Sequence, residues 1–233
     1  MKCAVMALAF CLGGRPLSAY GASTPGAPNE PMSDATAART SFIQSRLDQG
    51  TDPARQWYYG WLVGYSVAAA VQGSIGIATH DEALRASMLV GAAGSALGTL
   101  SVIAFPFPPT HAASELRASD GLTLQQRHAF ALESLRTCAE AERQGRSWLP
   151  HALGVAVAAA QGLVLWVGFD QPIDGAESAA VSLVVSEAQI FSQPVRAVDD
   201  LARYDHQFPP PRRSALQWHL APSPRGLSVL VQW

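Results

Sequence analysis

The sequence has little charge, almost no lysine and few cysteines. Charged residues make up 15% of the 233 residues, against about 25% in typical soluble domains. Lys2 is the single lysine, and the net charge of -2 gives no reason to expect a nucleic-acid partner. The cysteines Cys3, Cys11 and Cys138 form no C-x-x-C pair. A metal site or a redox dithiol is therefore not predicted.

The motifs of the common enzyme classes are also missing. The histidines have no H-x-x-x-H spacing, and no glycine-rich loop ends in G-K-[ST]. The pattern G-x-S-x-G is approached at Gly64 to Ala68, where the last glycine is replaced. The sequence therefore predicts no catalytic residue, no cofactor and no metal, and we expect a protein that is not an enzyme.

What the sequence has instead is a series of windows without any charge, at residues 57–78, 86–107 and 149–169. A helix rises about 1.5 Å per residue, so each window is long enough to cross a hydrocarbon layer of about 30 Å. Aromatic residues cluster at the start of the first window (57–61), as at a membrane interface. A fourth segment, 178–193, is shorter and contains Glu187. These windows predict an integral membrane protein with four helical spans.

The predicted fold is an all-α membrane protein: a four-helix transmembrane bundle of two helical hairpins, with a helical polar loop and a small C-terminal β-hairpin-like tail. Thr123 is expected to cap a loop helix that ends at Gly145. The predicted segments are a signal peptide (1–22), a linker and short helix (23–56), the first transmembrane hairpin (57–107), the polar helical loop (108–148), the second transmembrane hairpin (149–194) and a polar tail (195–233).

Small residues recur four apart in every predicted span. In lipid, such residues allow helix backbones to approach closely, which favours packing. The two hairpins also share a short pattern, SVAAAVQG at 66–73 and VAVAAAQG at 155–162. This match suggests a duplicated hairpin. The glycines predicted to support helix packing are Gly60, Gly64, Gly94, Gly98, Gly154 and Gly162.

Two signals disagree about which side of the membrane the long loop occupies. With four spans, the N-terminal region, the loop and the tail share one side, and that side carries every arginine after residue 22 except Arg85. The positive-inside rule places this side in the cytoplasm. A cleaved signal peptide would place it outside. The expected location is the bacterial inner membrane on either reading.

Four polar residues within the spans are candidates for function: Glu187, Gln72, Gln161 and His151. A carboxylate at mid-depth costs about 2.5–3.5 kcal/mol on insertion scales, so Glu187 is expected to face a partner or a wet cavity. Gln72 and Gln161 lie at similar depths and are expected to hydrogen-bond across the bundle. His151 is an interfacial residue or a partner of Glu187.

The sequence assigns no specific activity. The leading hypothesis is a small polytopic membrane protein with a structural or protein-interaction role, whose partners are the lipid bilayer and another membrane protein or itself. The alternative is a small-solute or ion transporter or channel that uses Gln72, Gln161 and Glu187. A third hypothesis is a membrane enzyme with Glu187 and His151 as acid and base.

Overall fold

A computed structural model of the chain describes residues 30–209, 217–223 and 226–232, with side chains for 33–209. The predicted signal peptide at 1–22 lies outside the described residues. Between residues 30 and 209 the chain is almost entirely helical, which confirms the prediction of an all-helical protein over this range. The helices are α1 (Glu30–Ala78), α2 (Glu82–Ala104), α3 (Ala112–Arg117), α4 (Leu124–Gly145), α5 (Trp148–Leu163), α6 (Pro172–Ser192) and α7 (Arg196–Gln207).

Two strands follow, β1 (Gln217–Ser223) and β2 (Gly226–Gln232). They pair antiparallel, with Gln217 opposite Gln232 and Ser223 opposite Gly226. Residues 224 and 225, which would form the turn, lie outside the described residues. The β-hairpin-like tail therefore stays a prediction.

Three helices are long and apolar enough to cross a membrane. These are Ser33–Ala78 in α1, Glu82–Ala104 in α2, and Trp148–Gly168, which is α5 with the π-helical turn Val164–Gly168 that extends it. The helix α2 begins at Glu82, earlier than the charge-free window at 86–107, because Asp81 caps it. The Asp81 carboxylate accepts a hydrogen bond from the Leu84 amide at 2.9 Å. α6, the predicted fourth span, is not apolar enough to meet the same criterion.

The short helix expected before the first span is not a separate element. It is continuous with the span in a single helix of 49 residues, which runs through Gly50 and contains Pro53. The hydroxyl of Thr51 donates to the carbonyl of Leu47 at 2.9 Å, and Ala54 is fully buried. Packing at this point holds the chain helical, and the missing N–H of Pro53 removes one backbone hydrogen bond without ending the helix.

The N-terminal half of α1 packs with α3, α4 and α7 into a helical domain, here defined as residues 33–56, 108–145 and 196–208. Its centre contains Ile43, Leu116, Leu135 and Cys138, each at most 1% exposed. Thr123 caps α4 as expected, in a capping box with Gln126. The polar loop at 108–148 is therefore not only a solvated connection, because Ala131, Leu135 and Cys138 of α4 belong to this core.

The remaining helices form two hairpins, the C-terminal half of α1 with α2, and α5 with α6, and α2 contacts both α5 and α6. In the second hairpin the backbones approach closely at Gly162, where an added Cβ would lie 2.8 Å from the carbonyl oxygen of Gly175. At Gly154 an added Cβ would lie 2.9 Å from the Cβ of Ser186. In contrast, a Cβ at Gly60 or Gly64 would meet nothing within 4 Å.

We expect Gly162→Val to destabilise the α5–α6 hairpin, because the new side chain collides with the α6 backbone. Overpacking of this kind costs about 1–3 kcal/mol. Gly64→Val is the matched control, since it makes the same change on an open helix face. Thermal unfolding of the two variants in detergent checks this. Equal melting temperatures would contradict the close approach at Gly162.

Candidate functional site

The two glutamines predicted to act within the spans both pack against α2, Gln72 over Gly91 and Gln161 over Gly94. The Ser95 hydroxyl donates to the side-chain oxygen of Gln72 at 3.1 Å, and the Gln161 amide donates to the Ser182 hydroxyl at 3.3 Å. Each glutamine therefore bonds to a serine of the second helix in its own hairpin. This arrangement is what hydrogen-bonded packing between membrane helices requires.

Both glutamines also fill space above glycines of α2. A Cβ at Gly91 would come within 3.1 Å of the Gln72 amide, and a Cβ at Gly94 would collide with the side-chain amide of Gln161. One turn further, the ring of Tyr65 occupies the space over Gly98. Both amides therefore lie partly buried against α2.

Glu187 and His151 are in direct contact between α5 and α6. The His151 Nδ1 atom lies 2.8 Å from a carboxylate oxygen of Glu187, and the two side chains are 33% and 29% exposed. His151 also lies against the ring of Phe191, with 5.7 Å between ring centroids. The pair is close to the domain-facing end of both helices, because His151 is the fourth residue of α5 and Glu187 is five residues before the end of α6. Interhelical contact and shallow depth account for a carboxylate in this position.

A second polar cluster, which sequence reasoning missed, joins the two hairpins. The hydroxyl of Tyr65 on α1 donates to the side-chain oxygen of Gln189 on α6 at 2.8 Å. The indole N–H of Trp57 donates to the Gln189 carbonyl at 3.1 Å, and that of Trp61 to the Ser192 hydroxyl at 3.1 Å. The sequence indicates the aromatic cluster at the start of the first span. That these side chains donate hydrogen bonds to α6 depends on how the two hairpins pack.

The helical domain contains two buried carboxylates that sequence reasoning also missed. Asp200 is 2% exposed and lies 3.7 Å from Arg46, 3.3 Å from Arg196 and 3.7 Å from Arg203. Glu142 is likewise 2% exposed, and its carboxylate accepts a hydrogen bond from the Val198 amide at 3.0 Å. Burial, together with the nearby charges of Asp200 and Asp199, raises the pKa of Glu142 to about 7, although amide hydrogen bonds from the start of α7 oppose the shift.

Cys138 lies in the same part of the domain and is fully buried. Burial, with smaller contributions from the charges of Glu142 and Glu115, raises the pKa of its thiol to about 12. The thiolate is the reactive form, so the folded protein keeps this cysteine unreactive.

The last turn of α4 holds the junction between α6 and α7. The Arg146 guanidinium donates to the carbonyls of Phe191 and Gln193 at 2.8 and 2.6 Å. Gln193 is 4% exposed and its side chain fills the space over Gly145. Helix C-termini leave carbonyls without partners, and here an arginine satisfies them.

The described residues include an open surface depression and no group of side chains that could bind a metal ion. An open depression of about 680 Å³ lies on the helical domain, lined by Phe42, Arg46, Ala202, Arg203, His206 and Gln207. Among the described residues, no three His, Cys, Asp or Glu side chains come together where they could hold a metal ion.

The geometry therefore defines a class of protein: a helical protein with three helices that could cross a membrane and a packed helical domain at one end of them. Comparison with protein-family models, curated proteins and solved structures found no match to this chain. Functional conclusions thus depend on the residues and their contacts.

We expect the Gln161–Ser182 hydrogen bond to contribute about 0.6 kcal/mol to the packing of α5 on α6, the average for such bonds in membranes. A double-mutant cycle with Gln161→Leu and Ser182→Ala, measured by unfolding in mixed micelles, gives this coupling energy. The pair Gln161→Leu and Ser66→Ala is the control, because the Ser66 hydroxyl bonds within α1 to the Leu62 carbonyl. A coupling energy no larger than that of the control would show that the amide does not join these helices.

Proposed function

We propose that this protein is an integral membrane protein with a structural or protein-interaction role, in which a four-helix transmembrane bundle anchors the helical domain at one membrane face. The observation that carries this proposal is the continuity of α1, a single helix that belongs to the domain core at Ile43 and to the first hairpin from about residue 57. A rigid helix shared by both parts fixes the domain relative to the membrane.

The proposal includes α6 as the fourth span, although its composition alone is marginal. α6 runs beside α5 along its length, in contact at Gly175 with Gly162, at Ser182 with Gln161, and at Glu187 with His151. A membrane that α5 crosses is therefore crossed by α6 as well. The outward side chains of α6 are apolar and more than 60% exposed: Ile173, Val181, Val184 and Phe191.

The other helices present similar surfaces to their surroundings. Large exposed apolar patches on a protein mark an interface or a membrane. Exposed aromatic side chains lie near both ends of the third span, Trp148 at its start and Trp166 and Phe169 at its end, as expected for interfacial anchors. The apolar side chains of α1 and α2 that are more than half exposed are Val63, Val67, Val71, Ile77, Leu97, Leu100 and Ile103.

A structural or interaction role, rather than an enzymatic one, is supported by how the polar groups are used. Gln72 and Gln161 bond to serines within their hairpins, and Arg146 bonds to carbonyls at the end of α6. The helical domain and its tail are then the parts that face a partner. Gly60 and Gly64, which meet no helix within the described chain, leave one face of α1 open to another membrane protein or a second copy.

The location proposed for the protein is the bacterial inner membrane, and the charge distribution favours an orientation with the domain in the cytoplasm. The two links opposite the domain and the helix turns that follow them carry one arginine, Arg85, and five carboxylates. All the other described arginines lie on the domain side. By the positive-inside rule this arrangement favours a cytoplasmic domain, whereas a cleaved signal peptide at 1–22 would favour the opposite orientation.

We expect Gly121→Cys in the domain and Gln207→Cys in α7 to be labelled by a membrane-impermeant thiol reagent from the same side, and His80→Cys from the opposite side. All three positions are exposed. The measurement compares intact with permeabilised cells, with Cys3 and Cys11 replaced by serine. The parent with only the buried Cys138 is the control and should stay unlabelled.

Labelling of the first two positions only after permeabilisation would place the domain in the cytoplasm and contradict a cleaved signal peptide. If Gln207→Cys and Gly121→Cys are labelled from opposite sides, α6 does not cross the membrane and the four-helix bundle is wrong.

A second candidate function, transport of a small solute or ion, is favoured by the contact between His151 and Glu187. An acid and a histidine at hydrogen-bond distance within paired membrane helices are a suitable site for proton transfer. Gln72 and Gln161 would line the path in this reading.

If this protein transports protons or cations, Glu187→Gln should abolish the flux, because the amide cannot carry the proton or the charge. Purified protein in liposomes with a pH-sensitive dye checks proton flux, and Glu177→Gln, on the exposed face of α6 near the opposite end, is the control. Flux that is unchanged in Glu187→Gln would remove the transport function built on that residue.

A further inference from the structure

The helix α7 connects the last membrane helix to the C-terminal tail, and it is docked on α4 at both of its ends. Its apolar side includes Ala197 and Tyr204, which belong to the buried core of the domain. The docking contacts near each end involve a group that can gain or lose a proton close to neutral pH: Glu142 at the start of α7 and His128 near its end.

At the start of α7, Glu142 satisfies helix amides that would otherwise have no partner. Its carboxylate accepts from the Val198 amide at 3.0 Å, in the first turn of α7. A carboxylate at a helix N-terminus is ordinarily stabilising. Here the side chain is 2% exposed, so its negative charge is formed out of contact with water.

Few positive charges are free to compensate an ionised Glu142. Glu142 lines a small cavity together with Arg46 of α1, Arg196 and Asp200 of α7, and Cys138 of α4. Both arginines already form ion pairs with Asp200, which is as deeply buried as Glu142. Two further negative charges lie near the site, Asp199 on α7 and, beside Cys138, Glu115 of α3. Arg146, one turn after Glu142, donates to the carbonyls of Phe191 and Gln193.

Near the end of α7 the contact is between His128 of α4 and Tyr204. The His128 Nε2 atom and the Tyr204 hydroxyl lie 2.9 Å apart, and Tyr204 is 5% exposed. Burial and the positive charge of Arg39 on α1 lower the pKa of His128. Asp205 and Arg136 contribute charges of opposite sign around Tyr204.

We propose that α7 is a pH-sensitive latch, whose docking on α4 weakens when the buried carboxyl of Glu142 ionises and when His128 takes up a proton. Undocking lets water reach Glu142 and separates His128 from the Tyr204 hydroxyl. It also frees the tail that follows α7 and uncovers the apolar surface around Ala197 and Tyr204. Below pH 6.5 the two effects oppose each other, so docking weakens mainly as the pH rises above that value.

The two groups act in opposite directions. The pKa of Glu142 is raised in the docked state, so its contribution to docking is greatest at low pH and falls as the pH rises from about 4.5 to about 7. The pKa of His128 is lowered in the docked state, so its contribution is fully present above 6.5 and is lost as the pH falls below that value. The weakening above pH 6.5 therefore belongs to Glu142.

Cys138 provides a native reporter of undocking, because it is fully buried beneath α7 and lines the same cavity as Glu142. The experiment measures the rate of Cys138 labelling in the full-length chain in nanodiscs from pH 5.5 to 8, with Cys3 and Cys11 replaced by serine. Glu142→Gln keeps an oxygen that accepts from the Val198 amide but cannot ionise. The ratio of the two rates at each pH cancels the contribution of His128 and the titration of the thiol apart from the smaller contribution of the Glu142 charge. That contribution slows labelling of the parent and therefore opposes the rise expected from undocking.

We expect this ratio, parent over Glu142→Gln, to rise about thirtyfold between pH 5.5 and pH 8, since about 1.5 units of the raised pKa of Glu142 lie above pH 5.5 and each unit changes an equilibrium by a factor of ten. Glu140→Gln is the matched control, an exposed glutamate on the same helix, and should follow the parent. A ratio that stays constant with pH would overturn the latch.

A second measurement needs no substitution at Glu142. Hydrogen exchange of the amides at 197–204 in the parent protein, corrected for the intrinsic rate, should accelerate between pH 6.5 and 8. Exchange of the α4 amides at 131–138 is the internal reference and should not change. If α7 and α4 accelerate together, the whole domain unfolds and α7 is not a separate latch; if neither accelerates, docking does not respond to pH.

Discussion

The architecture depends on the continuity of α1. A helix of 49 residues is about 74 Å long at 1.5 Å per residue, more than twice the thickness of a hydrocarbon layer. Its first half therefore has to lie outside any membrane that its second half crosses. α3, α4 and α7 bury their apolar faces on that first half, whereas α2 packs on the second half. Thr51 and Ala54, buried where the two halves meet, explain why Pro53 does not break the helix.

Within the hairpins, close contact is achieved with small residues and satisfied polar groups. Gly162 and Gly175 bring the backbones of α5 and α6 together, while Gly94 receives the side chain of Gln161. In a lipid environment helix association gains little from the hydrophobic effect, so dispersion contacts and a few hydrogen bonds have to supply the specificity. This requirement explains why polar side chains within the apolar segments bond to neighbouring helices.

The domain and the hairpins are joined a second time, at the end of α4. Arg146 binds the carbonyls at the end of α6, Gln193 fills the space over Gly145, and Glu142 binds the first turn of α7. Glu142, Gly145 and Arg146, which lie within about one helix turn of each other, thus contact the end of α6 and the start of α7. The end of α6 and the start of α7 therefore share their contacts with the end of α4.

The sequence by itself determined the apolar helices and both ends of α4, because charge-free windows, the cap at Thr123 and the stop at Gly145 are local signals that do not depend on distant residues. It did not predict α3 or α7 or the start of α6 at Pro172. It also indicated Glu187, His151, Gln72 and Gln161 as unusual polar groups. The tertiary structure decided their partners, as well as the burial of Cys138, Glu142 and Asp200 and the union of α1 into one helix. A helical period fixes which residues share a face, but only packing between helices decides what that face meets.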